Sequence, residues 1–245
     1  MSRNFELLQR IDAGSEILSY PSCEVRPAGT LASVDRLPAE YGPLISLVQR
    51  VFLQPDVKVP RLVVFSGADR GSGCTWVCAH TGRVLATLVS GSVCIVDANL
   101  RSPRLHQHFD LKASPGLAEA LSQTAPIRDF VQVALDGRFS LLSAGTAISD
   151  HDSTLDLNRM RSRITELRGE YDYVLVDAPS LDLYSDGIVI AGVSDGVIMV
   201  LGANSSKREP ARNAVEELKA AGAQLLGAVL NKRLFPIPES IYRRL

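Results

Sequence analysis

A glycine-rich loop between an apolar strand and a helix is the feature that most constrains this chain. Residues 61–75 read Arg-Leu-Val-Val-Phe-Ser-Gly-Ala-Asp-Arg-Gly-Ser-Gly-Cys-Thr. The run 62–66 is apolar and rich in β-branched residues, which predicts a buried strand, and a helical pattern begins after Cys74. Main-chain N–H groups and the positive end of a helix dipole meet at such a turn and bind anions. The segment therefore predicts a phosphate-binding loop.

A cysteine stands in this loop at the position where phosphate-binding loops carry a lysine. The usual signature ends in Gly-Lys and then Ser or Thr, because the lysine reaches the β- and γ-phosphates of a nucleotide. Here the ending is Gly73-Cys74-Thr75. Two interpretations stay open: a nucleotide site that works without its main cation, or a lost site on a scaffold kept for binding. A thiol at a helix N-terminus can have a lowered pKa and be reactive; an inert buried thiol is the alternative that we favour.

The composition is typical of a single α/β domain. The 245 residues are 46% hydrophobic with a formal net charge of −1, so charge gives no argument for a nucleic-acid partner. No apolar run approaches the roughly 20 residues that span a bilayer, and no signal-peptide pattern is present. We therefore expect a cytoplasmic protein with reduced thiols and no direct membrane insertion. Zinc is not expected, because Cys74 and Cys78 have no second Cys/His pair of ligand spacing.

The first 35 residues differ in pattern from the rest of the chain. Residues 3–18 can form a short helix, and residues 19–35 contain prolines in the manner of a linker. We assign 1–35 to an N-terminal arm and linker, either loosely docked or partner-binding, and 36–245 to the main domain. A predicted amphipathic helix follows at 40–54, with its apolar stripe on Leu44, Leu47, Val48, Val51 and Phe52.

Beyond Arg61, apolar strand patterns alternate with helical ones. Such alternation predicts an α/β fold of the P-loop NTPase kind: a doubly wound, mainly parallel β-sheet with helices on both faces. Ligands of such sheets bind at the carboxyl ends of the strands. The predicted strands are 62–66, 93–97, 139–143, 173–177, 196–201 and 225–230, and the predicted helices are 77–88, 157–167 and 211–221.

Two of these predicted strands end in aspartate at the edge of the sheet where the glycine loop lies. One is Val-Cys-Ile-Val-Asp97 and the other Tyr-Val-Leu-Val-Asp177. Carboxylates in that place can hold Mg²⁺ through water or orient an attacking oxygen. A single aspartate after an apolar run is more often a cap or turn residue. Two of them beside a glycine loop favour a functional site.

Together these segments resemble the kinase domain of bacterial tyrosine kinases (BY-kinases), which belong to the MinD/ParA branch of P-loop ATPases and control capsule and exopolysaccharide synthesis. The resemblance runs from about residue 40 to residue 231, and Asp97-Ala-Asn-Leu-Arg-Ser-Pro is its most specific element. It implies ATP and Mg²⁺ as cofactors, a catalytic Asp97, metal ligands Thr75 and Asp177, and a base-contacting Asn231. The loop that it implies consists of Gly71, Ser72, Gly73, Cys74, Thr75 and Trp76.

The chain also departs from the family pattern inside this site. Besides the missing lysine, Trp76 replaces a small hydroxyl residue and Asn99 replaces the second acid of Asp-x-Asp. We therefore expect weakened or absent nucleotide binding. The candidate substitute cations are Arg70 in the loop, and Arg101 and Arg104 after Asp97, for which a solvated turn is the alternative.

Two further departures concern assembly and substrate. The family's oligomerisation motif Glu-x-x-Arg-x-x-Arg reads Glu40-x-x-Pro43-x-x-Ser46, so ring assembly by that route is doubtful, and self-association of another kind stays open. The C-terminal tyrosine cluster is reduced to Tyr242. The resemblance implies as partner an inner-membrane regulator of polysaccharide chain length, which would hold the protein at the inner face of the membrane.

The resemblance thus implies a BY-kinase-like protein of exopolysaccharide or capsule biosynthesis with weak or lost tyrosine kinase activity. One alternative is a non-enzymatic regulatory module. Its contact surfaces would be the helix over 44–52 and a basic tail of Lys232, Arg233, Arg243 and Arg244. The other alternative, a MinD/ParA-type positioning ATPase, is weaker because Asp69 occupies the place of the signature lysine of those proteins.

Overall fold

The structure is a computed structural model and describes residues 38, 41–54, 58–134, 137, 139–147, 156–182, 185–203 and 205–233. The predicted arm and linker over 1–35, Glu40 and Tyr242 lie outside these residues. No helix of the described ranges is long and apolar enough to cross a membrane.

The described chain alternates strands with helices, as the sequence pattern predicts. Its strands are β1 Leu62–Gly67, β2 Val93–Asp97, β3 Gln132–Ala134, β4 Phe139–Leu142, β5 Tyr173–Asp177, β6 Gly196–Gly202 and β7 Leu225–Asn231. Its helices are α1 Gly42–Phe52, α2 Cys74–Leu88, α3 Leu117–Ser122, α4 Leu157–Glu170, α5 Asp186–Ala191 and α6 Arg208–Ala220. Two 3₁₀ turns, Leu105–Phe109 and Ile127–Phe130, complete it.

The strands form one seven-stranded sheet in the order β3-β4-β2-β5-β1-β6-β7. Every pairing is parallel except that of β3 with β4. The predicted mainly parallel sheet is confirmed, and β3 is an added antiparallel edge strand. Because β1, β5 and β2 are adjacent, the segments that follow these three strands leave the sheet side by side.

Helices cover both faces of the sheet, as the prediction of a doubly wound fold requires. Successive side chains of a strand point to opposite faces. Val63 and Phe65 pack in the cluster that contains the buried residues of α1 and α2. Leu62 and Val64 pack in the second cluster, with buried residues of α4 and α5. The fully buried β1 is therefore fixed on both sides, and the loop after it starts from a rigid point.

The apolar stripe of α1 is part of the core. Leu44, Val48 and Phe52 are buried, and they pack in one cluster with Val77 and Cys78 of α2. The prediction that this helix offers a contact surface to a partner is wrong for its apolar face, because α2 and the sheet already cover it. Its outward positions are mostly polar.

Candidate functional site

Strand register brings the glycine loop and both aspartates to one edge of the sheet. Asp177 pairs with Asp97 on one side and with Phe65 of β1 on the other. The pairing continues past the strand ends: the N–H of Ala98 donates to the Asp177 carbonyl (2.9 Å), and the N–H of Ala178 donates to the Phe65 carbonyl (2.9 Å). The three groups that the sequence placed together therefore lie side by side at one edge of the sheet.

The loop has the conformation of an anion cradle. Gly71 and Gly73 adopt left-handed φ values of 86° and 85°, which glycine tolerates better than other residues. Within the part of the chain that the structure describes, no acceptor is recorded for the main-chain N–H groups of residues 71–76. The first N–H groups of a helix need an outside acceptor, and an anion at the N-terminus of α2 would supply it.

Residues at the end of β7 hold this loop through two hydrogen bonds to its main-chain carbonyl groups. The Nδ2 of Asn231 donates to the Ser72 carbonyl at 3.0 Å, and the Nζ of Lys232 donates to the Gly71 carbonyl at 2.7 Å. The prediction that Asn231 contacts a base stays a prediction, since its amide is here bonded to the loop. Lys232 was predicted to serve a basic contact surface; in the structure its ammonium group lies on the loop instead.

Asp177 carries a buried carboxyl group. Both of its oxygens lack a partner in the described residues. Burial, followed by the charge of Asp97, raises its pKa to about 8, while the nearby Thr75 hydroxyl and Cys74 thiol lower this pKa in part. Neither of the two reaches hydrogen-bonding geometry. A carboxylate that is buried and unpaired is unfavourable unless a cation compensates it, so Asp177 fits the role of a metal ligand.

Asp97 has a different environment. Its oxygens accept the main-chain N–H groups of Asn99 (3.1 Å), Arg104 (3.2 Å) and Leu105 (3.0 Å). Burial raises its pKa to about 6 although these three N–H groups favour the charged form. The carboxylate therefore organises the loop that follows β2. The catalytic role of Asp97 stays a prediction, and three of its roughly four acceptor positions are already used.

The Cys74 thiol is not activated. Its pKa is raised well above the ordinary value, first by burial and then by the charge of Asp177. The lowering of the pKa that a helix N-terminus can cause does not occur here, because burial of the thiol penalises the thiolate more than the partial charge of a helix end favours it. The structure favours the alternative of an inert thiol.

Arg101 does not lie in a solvated turn. It forms an ion pair with Asp186 at the start of α5, and the two side chains are only 13% and 7% exposed. The prediction of a solvated turn is therefore wrong for Arg101, because its guanidinium group joins the loop after β2 to α5. Arg70 and Arg104 are exposed, and no contact of either side chain with the loop is recorded in the described residues.

Trp76 lies on the outer face of α2 rather than over the loop glycines. Its ring is 41% exposed and packs edge-on against His80, with centroids 4.3 Å apart. Burial, with smaller contributions from His108 and Arg83, lowers the pKa of His80 to about 4, so its ring is neutral near pH 7. A contact of Trp76 with nucleotide stays a prediction.

The donor set at this cleft fits Mg²⁺ better than a metal bound by protein alone. Among the described residues, no group of three or more His, Cys, Asp or Glu side chains is placed to hold a metal. Mg²⁺ uses one or two protein oxygens and completes its shell with water and phosphate. The unpaired Asp177 carboxyl and the neighbouring Thr75 hydroxyl supply such oxygens.

Comparison with known proteins agrees with this geometry. The family described as "Cellulose biosynthesis protein BcsQ" matches residues 61–206. Tyrosine-protein kinase YwqD of Bacillus subtilis is 27% identical over 169 residues, which are 69% of this chain and 71% of YwqD. Tyrosine-protein kinase etk of Escherichia coli is 28% identical over 173 residues, 69% of this chain but only 23% of the kinase. The chain thus spans about a quarter of that larger relative.

Solved structures show the same relationship. The BceF tyrosine kinase domain superposes with a TM-score of 0.67 at 27% identity, covering 82% of this chain and 80% of that domain. The cell division protein MinD of Aquifex aeolicus shares the fold, with a TM-score of 0.59 at 19% identity over 75% of this chain and 72% of MinD. The match to the BcsQ family runs from β1 to the segment before α6, more than half of the chain. This chain therefore belongs to the BcsQ family, and its described fold is the one shared by MinD and by the kinase domains of the bacterial tyrosine kinases that it resembles.

Proposed function

We propose that this protein is a BY-kinase-like cytoplasmic component of exopolysaccharide or capsule biosynthesis with a weakened Mg·ATP site and weak or absent tyrosine kinase activity. The observation that carries the proposal is the buried carboxyl group of Asp177 beside the N–H groups of the glycine loop, for both of which no partner is recorded in the part of the chain that the structure describes. Such a pair of features suits a metal-bound phosphate. The names of the matched family and of the relatives, cellulose biosynthesis and tyrosine kinases, support the polysaccharide role.

Each residue of the site has a definite task in this proposal. Mg·ATP would supply an activated phosphoryl group. The N–H groups of residues 71–76 would bind its phosphates, and Thr75 and Asp177 would hold the metal. Asp97 orients an attacking hydroxyl group and accepts its proton at a carboxylate oxygen. Burial raises the pKa of Asp97 to about 6, which suits a base, but three N–H groups already use most of its acceptor positions. Little of the carboxylate remains for an attacking hydroxyl group, which fits slow phosphoryl transfer.

The missing loop lysine determines how much ATP binding and phosphoryl transfer should be weakened. A charge-assisted hydrogen bond to a phosphate contributes roughly 1.5–3 kcal/mol. The same cation stabilises the charge that develops during transfer, so its loss slows reaction by about a hundredfold or more. Backbone N–H groups remain for binding. We therefore expect ATP affinity to be reduced more moderately than turnover.

The direct test is incubation of the purified chain with Mg·ATP, scored for phosphotyrosine and for ADP. We expect a rise in melting temperature with millimolar ATP, and little or no product of either kind. Asp97→Asn is the matched control, since it removes a carboxylate and nearly preserves size. Rapid turnover that Asp97→Asn abolishes would show an active kinase and contradict the proposal.

A non-enzymatic interaction module is the second candidate. It is favoured by the structural use of Asp97, whose carboxylate holds the loop after β2. It predicts that ATP does not change the melting temperature at all. A positioning ATPase is a weaker candidate, because Asp69, at the place of the signature lysine, accepts a hydrogen bond from Ser206 (2.7 Å) and supplies no cation.

In either case the proposed partner is an inner-membrane regulator of polysaccharide chain length, as for the tyrosine kinases that this chain resembles. The test is co-expression with the regulator from the same gene cluster, followed by affinity purification. An unrelated membrane protein of similar size serves as the control. Failure of the regulator to co-purify, with or without ATP, would contradict this part of the proposal.

A further inference from the structure

We propose that Lys232, at the end of β7, replaces the missing loop lysine and binds the phosphates of the nucleotide. The inference rests on the proposed function for its ligand, a nucleoside triphosphate. It concerns a residue outside the loop, which the sequence assigned to a basic tail and not to the nucleotide site. Its starting point is the Nζ of Lys232, which lies 2.7 Å from the Gly71 carbonyl oxygen at the cradle.

The backbone is shaped to bring this lysine over the loop. Lys232 has φ of 58°, a left-handed conformation that is unfavourable for a residue other than glycine. Its Cε lies 3.5 Å from the place where a Cβ on Gly73 would stand. Strain of this kind persists where the surroundings enforce it and is frequent at ligand sites. In Lys232 this backbone conformation directs the side chain back toward the glycine loop.

The present acceptor of Lys232 is one that a phosphate would displace. A main-chain carbonyl is neutral, whereas a hydrogen bond from an ammonium group to a phosphate is charged at both ends and roughly twice as strong. Lys232 is exposed, so its ammonium group can exchange acceptors without burying a charge. An ammonium group also has three donors and can bind a phosphate while it stays near Gly71.

The other candidate cations are less well placed. Arg101 is committed to Asp186 in a largely buried ion pair. Arg70 and Arg104 are exposed, and neither is recorded in contact with the loop. Within the described residues, the recorded hydrogen bond from a cationic side chain to the cradle comes from Lys232. The positive charge that a loop lysine would supply at the start of α2 is therefore supplied by Lys232, at the end of β7.

The test is ATP affinity of the full chain, measured through the fluorescence of Trp76, the single tryptophan of the sequence, and by calorimetry. Lys232→Met should weaken Mg·ATP binding by about tenfold to a hundredfold, and Lys232→Arg should keep most of the affinity. Lys219→Met, which removes the same charge from an exposed site on α6, should bind like the native chain. In the Lys232→Met background, Cys74→Lys should restore binding.

The outcomes separate this inference from the proposed function. Native affinity in Lys232→Met would overturn the role of Lys232 and leave the ATP site intact. Tighter binding in Lys232→Met would also overturn it, because Lys232 would then compete with phosphate for the loop. No binding by the native chain at millimolar ATP, by fluorescence, calorimetry or melting temperature, would overturn both proposals. Circular dichroism of each variant checks that the fold is kept.

Discussion

Asp97 and Asp177 are direct partners on neighbouring strands, yet among the described residues hydrogen-bond donors are recorded for the side chain of Asp97 and not for that of Asp177. Three main-chain N–H groups hold Asp97, whereas both oxygens of Asp177 lack a partner in the described residues. Two like charges this close cannot ionise independently, so the pair titrates in two coupled steps. The carboxyl group of Asp97 therefore has a structural role, whereas that of Asp177 remains available to a cation.

The pH dependence of stability should report this pair. The pKa of Asp177 is raised to about 8, so between about pH 4 and 8 the folded state keeps a proton that the unfolded state releases. Stability in the absence of ligand should then fall as pH rises through this range. The stability of the Asp177→Asn variant should decrease less over the same pH range. The measurement is thermal unfolding of both proteins from pH 5 to 9.

The control for this titration is Asp129→Asn, an exposed carboxyl group in the second 3₁₀ turn. It should keep the pH slope of the native chain. An equal slope in the native chain and in Asp177→Asn would show that Asp177 ionises freely and is not an unpaired buried group.

Restoring the loop lysine should strengthen nucleotide binding. Cys74→Lys places an ammonium group beside the Asp177 carboxyl, which is near the Cys74 sulfur, and also beside the phosphates of a bound nucleotide. We expect ATP affinity to rise by about tenfold to a hundredfold, the equivalent of roughly 1.5–3 kcal/mol. Calorimetric titration of native and variant chains with Mg·ATP measures the change.

Cys74→Met separates charge from bulk at this position, since methionine has a chain of similar length without charge. It should bind ATP no better than the native chain. If Cys74→Lys brings no gain over Cys74→Met, the cradle itself is unable to accept the phosphates, and the loss of lysine is not the cause of weak binding.

The sequence predicted the sheet well because most of its strands are uninterrupted apolar runs. The missed strand, β3, has three residues, and its Val133 is exposed, so it lacks a run that could be recognised. The missed helices α3 and α5 have six residues each, fewer than two turns, which is too short for a 3.6-residue period to appear. Short elements are defined by their neighbours rather than by their own pattern.

The site was predictable in position but not in its internal contacts. The loop and the two acids follow three buried strands, so local pattern and the rule for parallel sheets bring them together. The contact of Lys232 depends on a left-handed backbone after β7. The pairing of Arg101 with Asp186 joins residues 85 positions apart. Neither contact produces a local sequence pattern from which it could be predicted.

The buried ion pair of Arg101 and Asp186 should be important for stability. Arg101→Met would leave the Asp186 carboxylate buried without its cation, which typically destabilises by about 3–5 kcal/mol. Adding Asp186→Asn should recover part of this loss, because the uncompensated charge disappears. Urea unfolding of the single and double variants measures the coupling between the two residues.

A surface ion pair provides the matched control. Arg212 and Glu216 lie 3.3 Å apart on α6 with both side chains largely exposed, and Arg212→Met should change stability by no more than about 0.5 kcal/mol. Equal effects of Arg101→Met and Arg212→Met would mean that the Arg101 pair is solvated, as the sequence alone had suggested.

The two residues at the end of α1 test whether the apolar face of that helix belongs to the core. Phe52 is buried and packs edge-on against Tyr173 of β5, with ring centroids 6.0 Å apart, so Phe52→Ala should reduce the free energy of unfolding by about 3–5 kcal/mol. Its neighbour Leu53 is 37% exposed, and Leu53→Ala should cost less than about 1 kcal/mol. Chemical denaturation of the two variants gives both values. If Phe52→Ala is as stable as Leu53→Ala, then α1 is only loosely attached and its apolar stripe is free to receive a partner, which would restore the docking surface that the sequence had suggested.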